Sequence, residues 1–204
     1  MVLKGCLLFI AAYIIGGIPT GYIITRVFHH TDIREHGSGN IGFTNVLRTT
    51  GVISGLSVLI VDAGKGFAVS YFFSGLFEQG SLFRLLFGIT VILGNIFTPF
   101  LRFRGGKGVG TGLGVAIAVN PFSVIFALAG FTTVVFTTKF VSLGSLLAAA
   151  IYLASNSIFS LKGGNDIYSL IFALLLFIVI VLRHLSNIKR LLRGEENKIG
   201  IKKR

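Results

Sequence analysis

Residues 167–182 read Ile-Tyr-Ser-Leu-Ile-Phe-Ala-Leu-Leu-Leu-Phe-Ile-Val-Ile-Val-Leu, and Arg183-His184-Leu185-Ser186-Asn187 follow at once. Sixteen residues without a charge do not suit the surface of a soluble domain. About 20 mostly apolar residues are what a bilayer-crossing helix needs. This stretch is the last of seven. The others run over Leu7–Thr25, Val52–Phe77, Leu82–Leu101, Val109–Val119, Pro121–Thr138 and Val141–Phe159, with Val109–Val119 short for a full crossing. Gly51, Glu78-Gln79-Gly80, Arg102–Lys107, Asn120-Pro121, Lys139 and Lys162–Asp166 separate them. Lys4 ahead of the first resembles the n-region of a signal peptide, but no small-residue cleavage site follows, so a retained helix is expected.

Composition supports the membrane reading. Of 204 residues 53% are hydrophobic and only 13% charged, and mean hydropathy is +0.86. A soluble domain carries about 25% charged residues. An ordinary globular enzyme, a disordered chain and a nucleic-acid-binding domain are therefore excluded together. The single Cys6 lies in an apolar helix, which rules out a disulfide framework and a cysteine metal site. Glycine, at 27 residues, is about twice its average share.

Nineteen Lys and Arg stand against seven Asp and Glu, a formal +12. Their distribution orients the chain. With the N-terminus outside, the inner segments hold Arg26, Arg34, Arg48, Arg102, Arg104, Lys107, Lys139 and eight more in 183–204. The outer segments hold Lys4, Arg84 and Lys162 alone. Cations collect on the cytoplasmic side, so the expectation is an all-α polytopic membrane protein: one compact bundle of about seven transmembrane helices, N-out and C-in, forming a single domain over 1–204.

Three inner segments are too polar to be mere connections. The first, Gly37-Ser38-Gly39-Asn40-Ile41-Gly42-Phe43-Thr44-Asn45-Val46-Leu47-Arg48, contains a literal G-x-G-x-x-G. A dinucleotide fold needs a buried strand just before that motif, and His30-Thr31-Asp32-Ile33-Arg34-Glu35-His36 cannot supply one. What survives is local: glycines admit an anion to backbone N–H groups, while Ser38, Asn40, Thr44, Asn45 and Arg48 offer side-chain donors. The second, Phe103 to Gly114, resembles a P-loop. Walker A needs Gly where Leu101 stands and Ser or Thr where Gly108 stands, so no nucleotide chemistry follows. Gly105, Gly106, Lys107 and Gly108 remain as an anion-receptive turn entering an apolar helix; Gly110, Gly112 and Gly114 also suit a packing stripe. The third is the basic run from Arg183 to Glu196. Most of its cations suit contact with anionic lipid, with His184 set where helix meets polar layer. Asp62 and Lys65, inside the second span, pair at i, i+3. Ionisable residues there serve either function or the orientation of that helix.

All three segments fall on one side, and each is built to hold anionic oxygen. In G-S-G-N-x-G-x-T-N-x-x-R, F-x-G-G-K-G-V-x-T and R-H-x-x-N-I-x-R-L-x-x-G-x-E the chain resembles, over nearly its whole length, the bacterial membrane acyltransferases of the PlsY type. That resemblance implies transfer of a fatty acyl group from acyl phosphate to the sn-1 hydroxyl of glycerol 3-phosphate, giving lysophosphatidic acid. It implies catalytic roles for Ser38 and His184, close together. It implies phosphate-binding or substrate-binding roles for Gly39, Asn40, Thr44, Asn45, Arg48, Gly105, Gly106, Lys107, Gly108, Thr111 and Asn187. Asp62, Lys65, Asn95, Arg183 and Glu196 would support them. It further implies a bacterial cytoplasmic (inner) membrane location, an active site at the cytoplasmic face, membrane lipids as surroundings and an acyl-phosphate-forming enzyme as pathway neighbour. No metal, cofactor or nucleic acid is expected, and a monomer is compatible with the pattern. The chain departs from the family at Gly94-Asn95, where Gly-His is usual; Asn95 cannot titrate, which leaves it hydrogen bonding only. Gly17 and Gly110 are lesser departures.

Acyl phosphate is a mixed anhydride with a stable leaving group, so attack on it by a hydroxyl asks for positioning and charge neutralisation more than for a strong base. His184, a substrate phosphate, or a Ser38 acyl-enzyme all remain open as the route, with direct transfer the expectation. The H-x-x-x-x-D acyltransferases are a poor match: His30 meets Glu35 at that spacing, and His29, His36 and His184 meet Arg34, Ile41 and Lys189. A transporter of organic phosphates, the alternative, would thread polarity through the bilayer midplane, whereas here polarity gathers on one side.

Overall fold

The computed structural model describes residues 2–163 and 166–200. Gly164 and Asn165 of the expected 162–166 break, and the tail cations Lys202, Lys203 and Arg204, lie outside the described residues. The described residues are helical without a strand, and they form two compact units, Met1–Val119 and Asn120–Arg204.

The first unit contains α1 (Val2–Gly17), α2 (Thr20–His29), α3 (Phe43–Thr50), α4 (Val52–Ala68) with a π-helical extension Val69–Phe73, α5 (Gly80–Ile96) and α6 (Val109–Val119). The second contains α7 (Pro121–Thr138), α8 (Val141–Leu161), α9 (Ile167–Arg183) and α10 (Leu185–Leu192). All seven anticipated apolar stretches are helical. Among the described residues Val52–Phe73, Gly80–Leu101, Pro121–Thr138 and Val141–Leu161 are long and apolar enough to cross a bilayer. Two more candidates are bent pairs, α1 with α2 at 42° and α9 with α10 at 59°. The continuous helix expected over Leu7–Thr25 is thus broken, because Pro19 follows Gly16-Gly17-Ile18 and removes a backbone donor.

A broken helix frees carbonyls that hydrocarbon cannot satisfy, so protein groups must reach them. Thr98 Oγ1 donates to the Gly17 carbonyl at 2.5 Å, and Lys65 Nζ donates to that of Ile18 at 2.8 Å. Lys65 also pairs with Asp62 at 2.8 Å, and Thr20 Oγ1 donates to the same carboxylate at 2.7 Å. The Asp62–Lys65 pair expected from spacing therefore exists, and it clamps the break to α4.

Glycine lets the helices approach this closely. A Cβ on Gly94 would sit 2.2 Å from the Tyr13 carbonyl oxygen, and one on Gly114 1.8 Å from that of Ala63. These contacts seat α5 on α1 and α6 on α4, the close packing that small residues permit in membranes. At the opposite end Phe87, fully buried, gathers the rings of Phe9, Phe73, Phe77 and Phe83 at 4.4 to 6.1 Å.

In the second unit Asn120 caps α7 by accepting from Ser123 N at 3.2 Å, with Pro121 at the favoured first position. Asp166 caps α9 through Ser169 N at 2.8 Å. Asn156 Oδ1, fully buried in α8, accepts from Asn120 Nδ2 at 3.1 Å and Ser169 Oγ at 2.9 Å. One amide thus ties the starts of α7 and α9 to the end of α8.

Replacing Lys65 with Met leaves the Ile18 carbonyl with Thr20 N alone and deprives the buried Asp62 of its cation. Removing one partner of a buried pair costs about 3–5 kcal/mol. Thermal unfolding in detergent is expected to show that loss for Lys65→Met and a smaller one for the Asp62→Leu/Lys65→Met double variant, a non-additivity read from the cycle.

Candidate active site

The Gly37–Arg48 segment is held from beneath and from within. Beneath it lies a small core of Ile33, Ile41, Val46, Val58 and Leu101. Within it, Asn45 is buried in the first turn of α3 and ties the loop together. Its Nδ2 donates to the carbonyls of His36 at 2.9 Å and Ile33 at 3.2 Å, while its Oδ1 accepts from Ser38 N at 2.9 Å. Both amide protons of Asn45 are committed to the loop. A Cβ on Gly37, whose φ is +61°, would lie 2.2 Å from Asn45 Oδ1, so the turn tolerates only glycine there. Asn40 Oδ1 accepts from Gly42 N at 2.9 Å and sets the entry to α3.

Upstream, Asp32 caps the turn Ile33–Glu35 through Arg34 N at 3.0 Å and binds the Arg34 guanidinium through both its oxygens. The Arg34 hydrogen bond holds the Asp32 carboxyl at about 2, well below its ordinary value. Ser38 is thereby carried on an ordered turn with its side chain exposed, and its hydroxyl has no hydrogen-bond partner among the described residues.

The Gly105-Gly106 turn has a structural task as well. Gly105 N and Gly106 N donate to the Ile96 and Asn95 carbonyls, each at 3.0 Å, closing the end of α5. A Cβ on Gly105 would lie 2.0 Å from the Asn95 carbonyl oxygen, and one on Gly106 2.9 Å from Asn95 Oδ1. Gly108, with φ +78°, then turns the chain into α6, its carbonyl accepting from Gly112 N at 2.7 Å. Lys107 stands between these glycines, two residues ahead of α6.

An open cavity of about 860 Å³ in the first unit brings Ser38, Gly39, Asn40 and Gly105 onto one surface. Asp32, Arg34, Glu35, Phe100, Leu101, Arg102 and Arg104 complete its lining. Thr44, Asn45, Arg48, Lys107 and Thr111 do not line it. Thr111 is fully buried and its Oγ1 has no partner among the described residues. Asp62 and Lys65 serve the helix break, and Asn95 is buried at the end of α5. Arg102 and Arg104, counted in the sequence only as inner charges, are cavity residues; their adjacency to the Gly-rich turn was the available signal. Thr98 was missed because its partner lies 81 residues away.

The second unit carries the remaining candidates. His184 stands buried at the bend between α9 and α10, its Nδ1 at 2.8 Å from the Ile180 carbonyl. A carbonyl only accepts, so Nδ1 carries the proton and Nε2 is the basic nitrogen of the neutral ring. Arg183 is the last residue of α9. Gly194, with φ +71°, folds the chain back so that the Glu196 carboxylate enters the unit. It accepts from Asn187 Nδ2 at 2.8 Å, Ser142 Oγ at 3.0 Å and Arg190 Nε at 2.8 Å. Burial pushes the Glu196 carboxyl up, but the hydrogen bonds from Asn187, Arg190 and Ser142 together outweigh it and hold the group below its ordinary range. Ser142 offered no signal in the sequence.

Glu196→Gln leaves those donors short of a charged acceptor and is expected to cost about 1–3 kcal/mol. Because the folded carboxyl titrates below its ordinary value of 4.5, its stabilisation is complete above that pH and disappears as pH falls through the lower folded value. Melting from pH 7 down to pH 3 is expected to show wild type and Glu196→Gln converging at the acid end; curves that stay parallel would contradict the assignment.

Comparison with known proteins agrees with this architecture. A family model described as "Glycerol-3-phosphate acyltransferase" matches residues 6–194. Glycerol-3-phosphate acyltransferase of Thermoanaerobacter sp. (strain X514) is 42% identical over 193 residues, covering 95% of this chain and 94% of its own. That of Geobacter sulfurreducens is 40% identical, covering 92% and 93%. The crystal structure of PlsY, an integral membrane glycerol 3-phosphate acyltransferase, in its glycerol 3-phosphate form superposes with a TM-score of 0.88 at 34% identity, covering 97% of this chain and 96% of that one. Its lysophosphatidic acid form gives 0.84 at 32% identity with the same coverage. By match length, identity and fold, the chain belongs to the PlsY family of integral membrane glycerol-3-phosphate acyltransferases.

Proposed function

We propose that this protein transfers a fatty acyl group from acyl phosphate to the sn-1 hydroxyl of glycerol 3-phosphate, releasing lysophosphatidic acid and inorganic phosphate. This is the first acylation of phospholipid synthesis, and the donor comes from an acyl-phosphate-forming enzyme. The observation that carries the reading is the cavity on which Ser38, Gly39 and Asn40 meet the Arg102–Gly105 turn: turn backbone and cations, suited to phosphate oxygens. The glycerol 3-phosphate and lysophosphatidic acid forms of PlsY support it as the substrate and product of that protein.

In this mechanism the glycerol hydroxyl oxygen attacks the acyl carbon, the bond from that carbon to the phosphate oxygen breaks, and phosphate departs with the bonding pair. Arg48 and Lys107 neutralise the two phosphoryl groups, which is where a mixed anhydride most needs help. His184 Nε2 accepts the hydroxyl proton, and Ser38 orients the hydroxyl. Asn187 binds substrate with its amide held by Glu196. Asn45 shapes the loop that carries Ser38, and Asn95 shapes the Gly106 turn without a proton to give. Transfer is direct. Both units act as one acyltransferase domain over 1–204, with seven crossings in a bacterial cytoplasmic membrane, N-out and C-in, and the chemistry at the cytoplasmic face.

Inorganic phosphate release by purified protein given palmitoyl phosphate is expected to require glycerol 3-phosphate, with sequential rather than ping-pong kinetics. His184→Ala is expected to lower kcat by about 10²–10⁴-fold at unchanged folding. Folded protein that releases no phosphate with both substrates would overturn the reading in favour of organic-phosphate transport. Orientation has its own test. In a Cys6→Ser background, Lys198→Cys is expected to react with an impermeant maleimide in inverted vesicles and to be protected in right-side-out ones.

A further inference from the structure

Arg102 and Phe103 are consecutive non-glycine residues in the left-handed region, with φ of 52° and 61°. Elsewhere among the described residues positive φ falls on glycines or on His30 and Lys139, each closing a helix. Two successive side chains in that region are uncommon, and Arg and Phe gain no local hydrogen bond from it. The surroundings impose it. Phe103 N donates to the Thr98 carbonyl at 2.8 Å, Arg104 N to that of Leu101 at 3.1 Å and Gly105 N to that of Ile96 at 3.0 Å. Such an outlier points from conformation towards use.

Its result is an arrangement of charge. Arg102, Phe103 and Arg104 are all exposed, and both arginines line the cavity with Ser38, Gly39 and Asn40. Arg34 on the same lining is already neutralised by Asp32 and lies over the Tyr22 ring at 4.9 Å. Glu35, also in the lining, forms no ion pair among the described residues, and neither do Arg102 and Arg104. The cavity therefore keeps an excess of positive charge, concentrated in one turn. The same turn exposes apolar surface: Phe97, Phe100 and Phe103 are 45%, 55% and 63% exposed, and Phe100 lines the cavity.

A turn that joins two guanidinium groups outside any ion pair to exposed rings matches a ligand with a phosphoryl head and an apolar chain. Glycerol 3-phosphate has the head alone. We infer that Arg102 and Arg104 bind the phosphoryl group of the acyl phosphate donor, with its chain running over Phe100 and Phe103, and so set the enzyme's affinity for the donor separately from the acceptor. This rests on the proposed acyl transfer and adds to it a donor-binding wall.

The test is steady-state kinetics in uncharged detergent, varying palmitoyl phosphate and glycerol 3-phosphate in turn. For Arg102→Gln/Arg104→Gln the KM for palmitoyl phosphate is expected to rise about tenfold, as loss of charge-assisted contacts predicts. The effect should shrink at high salt, and the KM for glycerol 3-phosphate should move less than twofold. Lys4→Gln, at the far end of α1 from the break, removes a charge elsewhere and is expected to move neither constant. Arg102→Gly supplies a second readout, since glycine relieves the left-handed backbone while deleting the side chain: the thermal midpoint should hold or rise as the donor KM rises. Equal rises in both KM values, or a donor KM unchanged in the folded double variant, overturn the inference and leave the acyl transfer standing. Absence of phosphate release by wild type overturns both.

Discussion

Two carbonyls freed by the break at Gly17 and Ile18 govern the first unit. In water they would be satisfied by solvent; in a bilayer the protein must bring donors to them. Thr98 is the donor to Gly17, and Lys65 joins Thr20 N at Ile18; each side chain commits the element that carries it. Lys65 fixes α4 against the break and, with Asp62, holds Thr20 at the start of α2. A Cβ on Gly21, one residue further on, would lie 1.8 Å from the Ile41 carbonyl oxygen, so α2 in turn abuts the loop that bears Ser38. Thr98 accepts Phe103 N with its own carbonyl, which starts the turn leading to Gly105. Both walls of the cavity thus trace back to one interruption in one helix.

This explains what could be read from the sequence. Apolar length identified every long helix among the described residues, and two of the three polar segments meet on one cavity, because those signals are local and additive along the chain. The i, i+3 spacing of Asp62 and Lys65 announced their pairing. It could not announce that Thr20 and Ile18 complete the node, since those contacts span 42 and 47 residues. The continuous reading of Leu7–Thr25 failed for a related reason: Pro19 marks a possible bend, but whether the helix breaks there depends on donors from α4 and the Thr98 turn.

The motif residues divide by whether their polar atoms face inward. Asn45, Gly105 and Gly106 lie within motifs that suggest anion binding, yet the Asn45 amide and both glycine N–H groups hold backbone in shape. A motif can thus fix several identical residues for two different physical reasons. Ser38, exposed on the turn, and His184, with Nδ1 bound to Ile180, are arranged differently: each has its backbone or one ring atom secured, which leaves the atom that the proposed transfer would use outside that restraint. Such division of tasks is what preorganisation requires.

The Glu196 carboxylate carries a further implication, for biogenesis. Ser142 and Glu196 are 54 residues apart in the chain. At a synthesis rate of about 5–20 residues per second, the opening of α8 is made roughly 3–10 s before its acidic partner. During that interval Ser142 sits in a nascent membrane segment without the anion it will bind, and α10 has not yet been folded back upon itself. The contact between α8 and the tail can therefore close only once nearly the whole chain has been made. Natural variation around Gly194 and Glu196 should register first as a change in how much protein the membrane retains.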